Sequence, residues 1–258
     1  MSNELFSIAG RTALVTGGSR GIGRMIAAGF LKAGARRVYI SARKAAACEQ
    51  TARALSAFGD CVAIPADVSN QAGIKGLVDA LSARESALDI LVNNAGAAWS
   101  APFDEFPETG WDKVVDLNLK APFFLTQALA PMLRAAASRA RPAKVINIAS
   151  IDGISANPLE TYSYHGSKAG LIHLTRRMAL RLIQDDIVVS GIAPGPFASD
   201  MNTAARDESD KVAARVPAGR IGTDDDMAGV AIYLASRAGD YVVGETIAVD
   251  GGVTIARG

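Results

Sequence analysis

The stretch Thr12-Ala13-Leu14-Val15-Thr16-Gly17-Gly18-Ser19-Arg20-Gly21-Ile22-Gly23 decides the fold. Thr12–Thr16 reads as a strand, and a helical pattern over Ile22–Ala33 follows almost at once. Glycines at such a strand-to-helix turn let the backbone approach a pyrophosphate and let the helix pack closely on the sheet. The start of that helix offers free N–H groups and the positive end of the helix dipole. The spacing is Gly17-x-x-x-Gly21-x-Gly23 rather than Gly-x-Gly-x-x-Gly. Glycine also serves tight turns for steric reasons alone. The position after the first strand of a βαβ unit is what points to a dinucleotide.

Outward from this turn, short β-rich runs alternate with longer helical patterns to the end of the chain. The strand candidates are Thr12–Thr16, Arg37–Ser41, Val62–Pro65, Ile90–Asn93, Lys144–Ala149, Ile187–Ile192 and Thr246–Val249. Most are continuously apolar, the pattern of strands covered by helices on both faces. Helices are expected over Ile22–Ala33, Ala45–Ala57, Ala72–Ser86, Trp111–Ser138, Ser163–Gln184 and Asp224–Ser236. The alternation predicts an α/β fold with a Rossmann-like, doubly wound parallel sheet. The 258 residues, 49% of them hydrophobic, suit a single domain spanning 1–258. The polar stretch Ser199–Arg220 reads either as a disordered excursion or as a mobile helical lid over a cleft.

Composition narrows the function. Net charge is +1, and no charge run suggests a nucleic-acid footprint or a basic membrane face. Aromatic content of 6% argues against a base-stacking surface. Cys48 and Cys61 form no Cys-x-x-Cys pair, and two histidines, His165 and His173, build no metal cluster. The N-terminal residues lack a basic region followed by a long apolar core, and no apolar run reaches the roughly 18 residues that span a bilayer. A soluble cytoplasmic protein with reduced thiols is expected.

The end of the second strand speaks to which dinucleotide binds. NAD-binding proteins usually place an acidic residue there for the ribose 2′-hydroxyl. Here the strand ends Ser41-Ala42-Arg43-Lys44, and no Asp or Glu lies between Gly23 and Cys48. Arg43 is placed to pair with a 2′-phosphate, and Arg20 in the glycine turn could help from the other side. The plainer alternative is that Arg43 and Lys44 are solvated loop cations. The missing acid favours NADP(H). Asp67, with Val68 after the third strand, reads as a helix cap or turn residue and equally as an acceptor for the adenine amino group.

A second constellation carries the chemistry. Ser150 closes an apolar run, and Tyr162-Ser163-Tyr164-His165-Gly166-Ser167-Lys168 follows. On a helix Tyr164 and Lys168 share a face. A nearby ammonium is expected to pull the phenol pKa down from its ordinary value near ~10. Ser150 adds a neutral hydroxyl that can hold a substrate oxygen. Tyr162 has Gly166 rather than a lysine four residues on, so it either lines the pocket or packs.

In these residues the chain resembles the short-chain dehydrogenase/reductase family over essentially its whole length. The resemblance rests on the ordered set Thr16–Gly23, Asp67-Val68, Asn93-Asn94-Ala95-Gly96, Asn118, Ser150, Tyr164–Lys168, Pro194-Gly195 and Val249-Asp250-Gly251-Gly252. It implies a seven-stranded parallel sheet and a nicotinamide cofactor. It also implies Tyr164 as general acid/base, Lys168 as the group that lowers its pKa and holds the nicotinamide ribose, and Ser150 as the orienter of the substrate oxygen. Asn118 would sustain a water-linked proton path to Lys168. Asn93, Asn94, Ala95 and Gly96 would line the cofactor cleft together with Gly17, Ser19, Arg20, Gly21, Ile22 and Gly23. Pro194, Gly195 and Phe197 would flank the nicotinamide, with Ser199 near its carboxamide. A homotetramer built on the long helices is implied as well. Within the family the chain is similar to 3-oxoacyl-(acyl carrier protein) reductases, including the rhamnolipid-associated branch, through Gly59–Asp67, Val145–Ser150 with Gly153–Ala156, and Ala193–Ser199. The expected reaction is NADPH-dependent reduction of a ketone. The alternatives are an alcohol or polyol dehydrogenase working oxidatively and a non-catalytic NADP(H)-binding regulator. Trp99, Asp152, Pro158, Tyr162, Phe197 and Met201 are candidate pocket residues. Asp152 reads as a loop-stabilising acceptor or as a substrate contact.

Overall fold

The computed structural model describes residues 2–256. Seven parallel strands form one sheet in the order β3-β2-β1-β4-β5-β6-β7. They are β1 (Thr12–Thr16), β2 (Arg37–Ser41), β3 (Cys61–Ala63), β4 (Ile90–Asn93), β5 (Ala143–Ile148), β6 (Ile187–Pro194) and β7 (Thr246–Val249). The strands divide two cores by their period of two. Val15, Ile40, Val92 and Ile148 face one core, and Leu14, Tyr39, Leu91 and Val145 face the other. The first core is closed by α1 (Gly21–Lys32), α2 (Ala45–Leu55) and a helix near the C-terminus, Asp224–Ala235. The second is closed by α3 (Gln71–Ser82) and by the long helices described next.

One expected helix is in fact three pieces. Over the stretch read as Trp111–Ser138, the chain forms α4 (Glu108–Val115), a π-helical turn (Asp116–Lys120) and α5 (Ala121–Ala136). Single π turns inside helices recur at functional sites, and Asn118 sits within this one. The next helix, α6 (Tyr162–Leu182), carries Tyr164 and Lys168. The expected lid contains two short helices, α7 (Thr203–Asp207) and α8 (Ser209–Ala213), anchored by buried Ala205 and Val216. The last helix, α9 (Asp224–Ala235), starts at a capping box in which Thr223 and Asp226 satisfy each other's backbone. Other boundaries differ from expectation by a few residues, as frayed ends do. No helix among the described residues is long and apolar enough to cross a membrane.

The chain runs from β1 outward to β3 and then returns to lay β4 against the other side of β1. This reversal opens a crevice at the carboxyl ends of β1 and β4, the place where ligands bind in such sheets.

Candidate active site

The crevice is one continuous cleft of about 800 Å³. At its nucleotide end the backbone is shaped for close approach. Gly17 and Gly21 have φ of +65° and +51°, which other residues rarely adopt. A Cβ on Gly17 would lie 2.7 Å from Asn94 Nδ2, and one on Gly23 would lie 2.4 Å from both Asn94 Nδ2 and the Gly17 carbonyl oxygen. Asn94 braces the turn, since its Nδ2 donates to the Thr16 carbonyl at 2.8 Å and the Thr16 hydroxyl accepts from Asn94 N and Ala95 N at 3.0 Å. No side chain caps the start of α1, so the first-turn N–H groups remain available to an anion. Arg43 and Lys44 are exposed at the edge of this end and have no ion-pair partner among the described residues. A glycine cradle, an uncapped helix start and free cations fit the diphosphate and 2′-phosphate of a dinucleotide.

At the other end α6 presents Tyr164 to the cleft opposite Ser150. Ser150 Oγ accepts from Asp152 N–H at 3.1 Å, which leaves its own proton for a substrate oxygen. Lys168 is 4% exposed, and its Nζ donates to the Ile148 carbonyl at 2.7 Å. That ammonium lies 5.6 Å from the centre of the Tyr164 ring. Burial pushes the Lys168 pKa down to about 8, with Asp152 acting in the opposite sense. Burial pushes Tyr164 up to about 12, an effect that the Ser150 hydroxyl reduces and Asp152 augments. This differs from the expectation that Lys168 lowers the phenol's pKa. The ammonium stands over the ring and spends a hydrogen bond on Ile148, so desolvation prevails at the half-buried phenol.

Asn118 is fully buried and its side chain is fully engaged. Its Oδ1 accepts from Ala97 N at 2.9 Å, while Nδ2 donates to the Ala97 carbonyl at 2.9 Å and to Ser167 Oγ at 3.1 Å. A Cβ on Gly96 would sit 3.3 Å from Asn118 Oδ1 and 3.8 Å from Lys168 Nζ, so these groups meet behind Gly96. The side chain ties the loop after β4 to α6.

Most of the expected residues line the cleft, from Gly17, Ser19, Arg20, Gly21 and Ile22 through Arg43, Asp67, Val68, Asn94, Ala95 and Gly96 to Pro194, Gly195, Phe197 and Ser199. Gly23, Asn93 and Asn118 do not. Asn93 is instead buried and paired with Asn147 Oδ1 at 2.9 Å, in a polar ladder that continues to Thr126 and Thr175. Arg20 pairs with Asp200 of the lid rather than standing free beside Arg43. Asp67 accepts from Ser69 N at 3.1 Å as a turn residue, while the cap of α3 is Asn70. The Phe197 ring is 2% exposed and packs so closely on Gly222 that a Cβ there would meet it at 2.3 Å. Ser199 Oγ accepts from Asn202 N at 3.1 Å, within the lid. Tyr162 packs edge-on against Phe103 and Phe106 and donates to Glu160 at 3.1 Å, outside the cleft lining. Trp99 and Pro158 also lie outside it. Asn157, Leu159 and Thr161 line the cleft and were not singled out in the sequence. The signal for Asn157 is its place five residues after Asp152, to which its Nδ2 donates at 2.8 Å.

The family model described as Enoyl-(Acyl carrier protein) reductase matches residues 17–254. The chain is 50% identical to the rhamnolipids biosynthesis 3-oxoacyl-[acyl-carrier-protein] reductase of Pseudomonas aeruginosa, over 96% of this chain and 97% of that one. It is 35% identical to the gluconate 5-dehydrogenase of Gluconobacter oxydans, over 98% of each. Among solved structures, the Pseudomonas aeruginosa RhlG/NADP active-site complex superposes with a TM-score of 0.94 at 49% identity, covering 98% of this chain and 99% of that one. A family model matched over residues 17–254, and 50% identity over nearly the whole of a relative, mean that the chain belongs to the short-chain dehydrogenase/reductase family.

Proposed function

We propose that the protein is an NADP(H)-dependent oxidoreductase that reduces a ketone to a secondary alcohol, with a 3-oxoacyl thioester as one candidate substrate. The carrying observation is geometric: the Tyr164 phenol and the Ser150 hydroxyl line one cleft that is continuous with the phosphate cradle. Burial raises the phenol's pKa, so it holds a proton to give at neutral pH. Hydride for the carbonyl carbon is what bound NADPH supplies. Ser150 and Tyr164 hydrogen-bond the carbonyl oxygen, and Tyr164 donates its proton as the alkoxide develops. Lys168 supplies positive charge behind the resulting phenolate. Asn118 acts as a positioning residue by holding the loop of Ala97 against Ser167. The family model's name refers to an enoyl group, but two hydroxyls converging at Ser150 and Tyr164 suit a carbonyl oxygen. The same groups serve the reverse oxidation. A complete set of acid, orienter and ammonium speaks against a non-catalytic regulator. An NADPH-consumption screen over acetoacetyl thioesters, cyclic ketones, aromatic ketones and sugars tests the reading, and no turnover of any ketone despite NADPH binding would defeat it.

NADP(H) rather than NAD(H) is the cofactor in this proposal. It is supported by Arg43 and Lys44 at the cleft edge and by the NADP named for the solved relative. All of Asp67, Val68, Pro194, Gly195, Phe197 and Ser199 line the cleft, and in this proposal the first two take the adenine and the other four the nicotinamide. Ala42→Asp is expected to shift the ratio of kcat/KM for NADPH over NADH towards NADH by on the order of a hundredfold, because a carboxylate repels the 2′-phosphate and accepts from a 2′-hydroxyl. An unchanged ratio in steady-state assays would remove the phosphate site from Ala42–Lys44.

The lid over Ser199–Arg220 and a cytoplasmic location belong to the same proposal. Two free, buried cysteines are in keeping with the latter. So does a homotetramer, supported by exposed apolar side chains on the long helices and near the C-terminus. Trp111, Phe124 and Leu180 are 44%, 36% and 68% exposed, and Tyr241 is 99% exposed. Light scattering is expected to give four times the chain mass, and a monomer would refute this assembly.

A further inference from the structure

Charge is divided along the cleft. Arg20 in the glycine turn and Arg43 and Lys44 after β2 line the nucleotide end. The reacting end is bounded by the loop 151–161 and the lid. Among the described residues, the only charged side chains that these two segments add to the lining are Asp152 and Asp200. Asp200 is neutralised by Arg20 and Arg206. Asp152 has no ion-pair partner among the described residues. Its Oδ1 accepts from the neutral Asn157 Nδ2 at 2.8 Å, and its own N–H is committed to Ser150 Oγ at 3.1 Å. The loop is thereby fixed with a carboxylate beside the hydroxyl that orients the substrate oxygen. The Lys168 ammonium is not at this rim: it is 4% exposed, donates to the Ile148 carbonyl at 2.7 Å and stands 5.6 Å from the centre of the Tyr164 ring. The rest of this rim is uncharged, with the neutral polar Asn157, Thr161, Ser199 and Asn202 beside Leu159 and Met201, which are 64% and 51% exposed.

A substrate carboxylate placed near the reacting carbonyl would meet Asp152 in a partly desolvated site, where the Arg20 and Arg206 guanidinium groups are already paired with Asp200. We propose that Asp152, held by Asn157, is a specificity-determining residue that rejects carboxylates, so that the substrate is a ketone uncharged at its reacting end, such as a 3-oxo ester or thioester, rather than a keto acid or sugar acid. This rests on the ketone-reduction reading of the same site. Like-charge rejection is a recognised route to selectivity, because specificity is a difference between two affinities.

The test compares ethyl acetoacetate with acetoacetate, by NADPH consumption with the full chain, in wild type and Asp152→Asn. Asparagine keeps an acceptor for Asn157 and removes only the charge. The change in the ester-to-acid ratio of kcat/KM between the two proteins cancels the intrinsic reactivity of the ketones. Wild type is expected to favour the ester, and the variant to narrow the ratio on the order of tenfold. Added salt should narrow it in wild type and leave it nearly constant in the variant. If Asp152→Asn folds poorly, Asp152→Ser and the wild-type salt dependence carry the same comparison. A ratio unchanged by loss of the charge, or a wild-type ratio that favours the acid, overturns the proposal. NADPH binding seen by fluorescence without turnover of either compound or of any other ketone would instead overturn the reductase reading on which it rests.

Discussion

Tyr164→Phe is expected to lower kcat for ketone reduction by about 10²–10⁴-fold, the range that a positioned general acid contributes. The ring is retained, so its packing in the cleft wall and its contact with the Lys168 ammonium, 5.6 Å from the ring centre, should persist. Only the oxygen is lost. NADPH affinity should therefore stay within a few-fold of wild type, which separates the proton from the binding site. The expected signature is a loss in kcat and kcat/KM together, as for an interaction made only in the transition state. Tyr162→Phe serves as the internal control, because the Tyr162 hydroxyl donates to Glu160 outside the cleft lining. Single-turnover rates and fluorescence titration with NADPH check both arms. Wild-type kcat in Tyr164→Phe would sink the acid role. A large loss in Tyr162→Phe would move that role to the wrong tyrosine.

What could be read from the chain alone was whatever its own neighbours encode. The glycine turn follows β1 directly, and Tyr164 and Lys168 are one helical turn apart, so local geometry delivers both. The sheet was legible because its strands are apolar on both faces. Contacts across distant segments were not legible. Arg20 looked free for a 2′-phosphate until the lid brought Asp200 to it across 180 positions of sequence. Asn93 looked like a cleft residue until strand register set it opposite Asn147. The π turn at Asp116–Lys120 has no composition signal of its own. It places Asn118 against the Ala97 backbone, a partner that exists only after the loop beyond β4 has folded. For Tyr164, spacing tells that an ammonium is near, but not that it stands over the ring or that burial raises the phenol's pKa.

Lys168→Met should separate stability from function in opposite directions. At neutral pH the wild-type fold holds an ammonium at a position that is 4% exposed. A fall in pKa from 10.5 to about 8 corresponds to about 3 kcal/mol by which the fold disfavours that charge. Methionine removes the charge at similar length, but it leaves the Ile148 carbonyl without its 2.7 Å donor, a loss of about 1–3 kcal/mol for a buried acceptor. The variant is thus expected to be as stable as wild type or up to about 2 kcal/mol more stable at pH 7. Activity should fall on the order of a hundredfold, as when one donor to a developing anion is removed, since the phenolate of Tyr164 loses its countercharge. The pH dependence follows from proton counts. Between about 8 and 10.5 the unfolded lysine holds a proton that the folded one has released, so wild-type stability rises with pH, by at most about 1.4 kcal/mol per pH unit. The penalty is fully present below about 8 and vanishes above 10.5, where a neutral amine still donates to Ile148. Urea denaturation of both proteins across this range should show the variant's advantage shrinking and then reversing. A difference independent of pH would mean that Lys168 titrates like a solvated lysine. A variant with wild-type kcat would mean that its charge does not assist Tyr164.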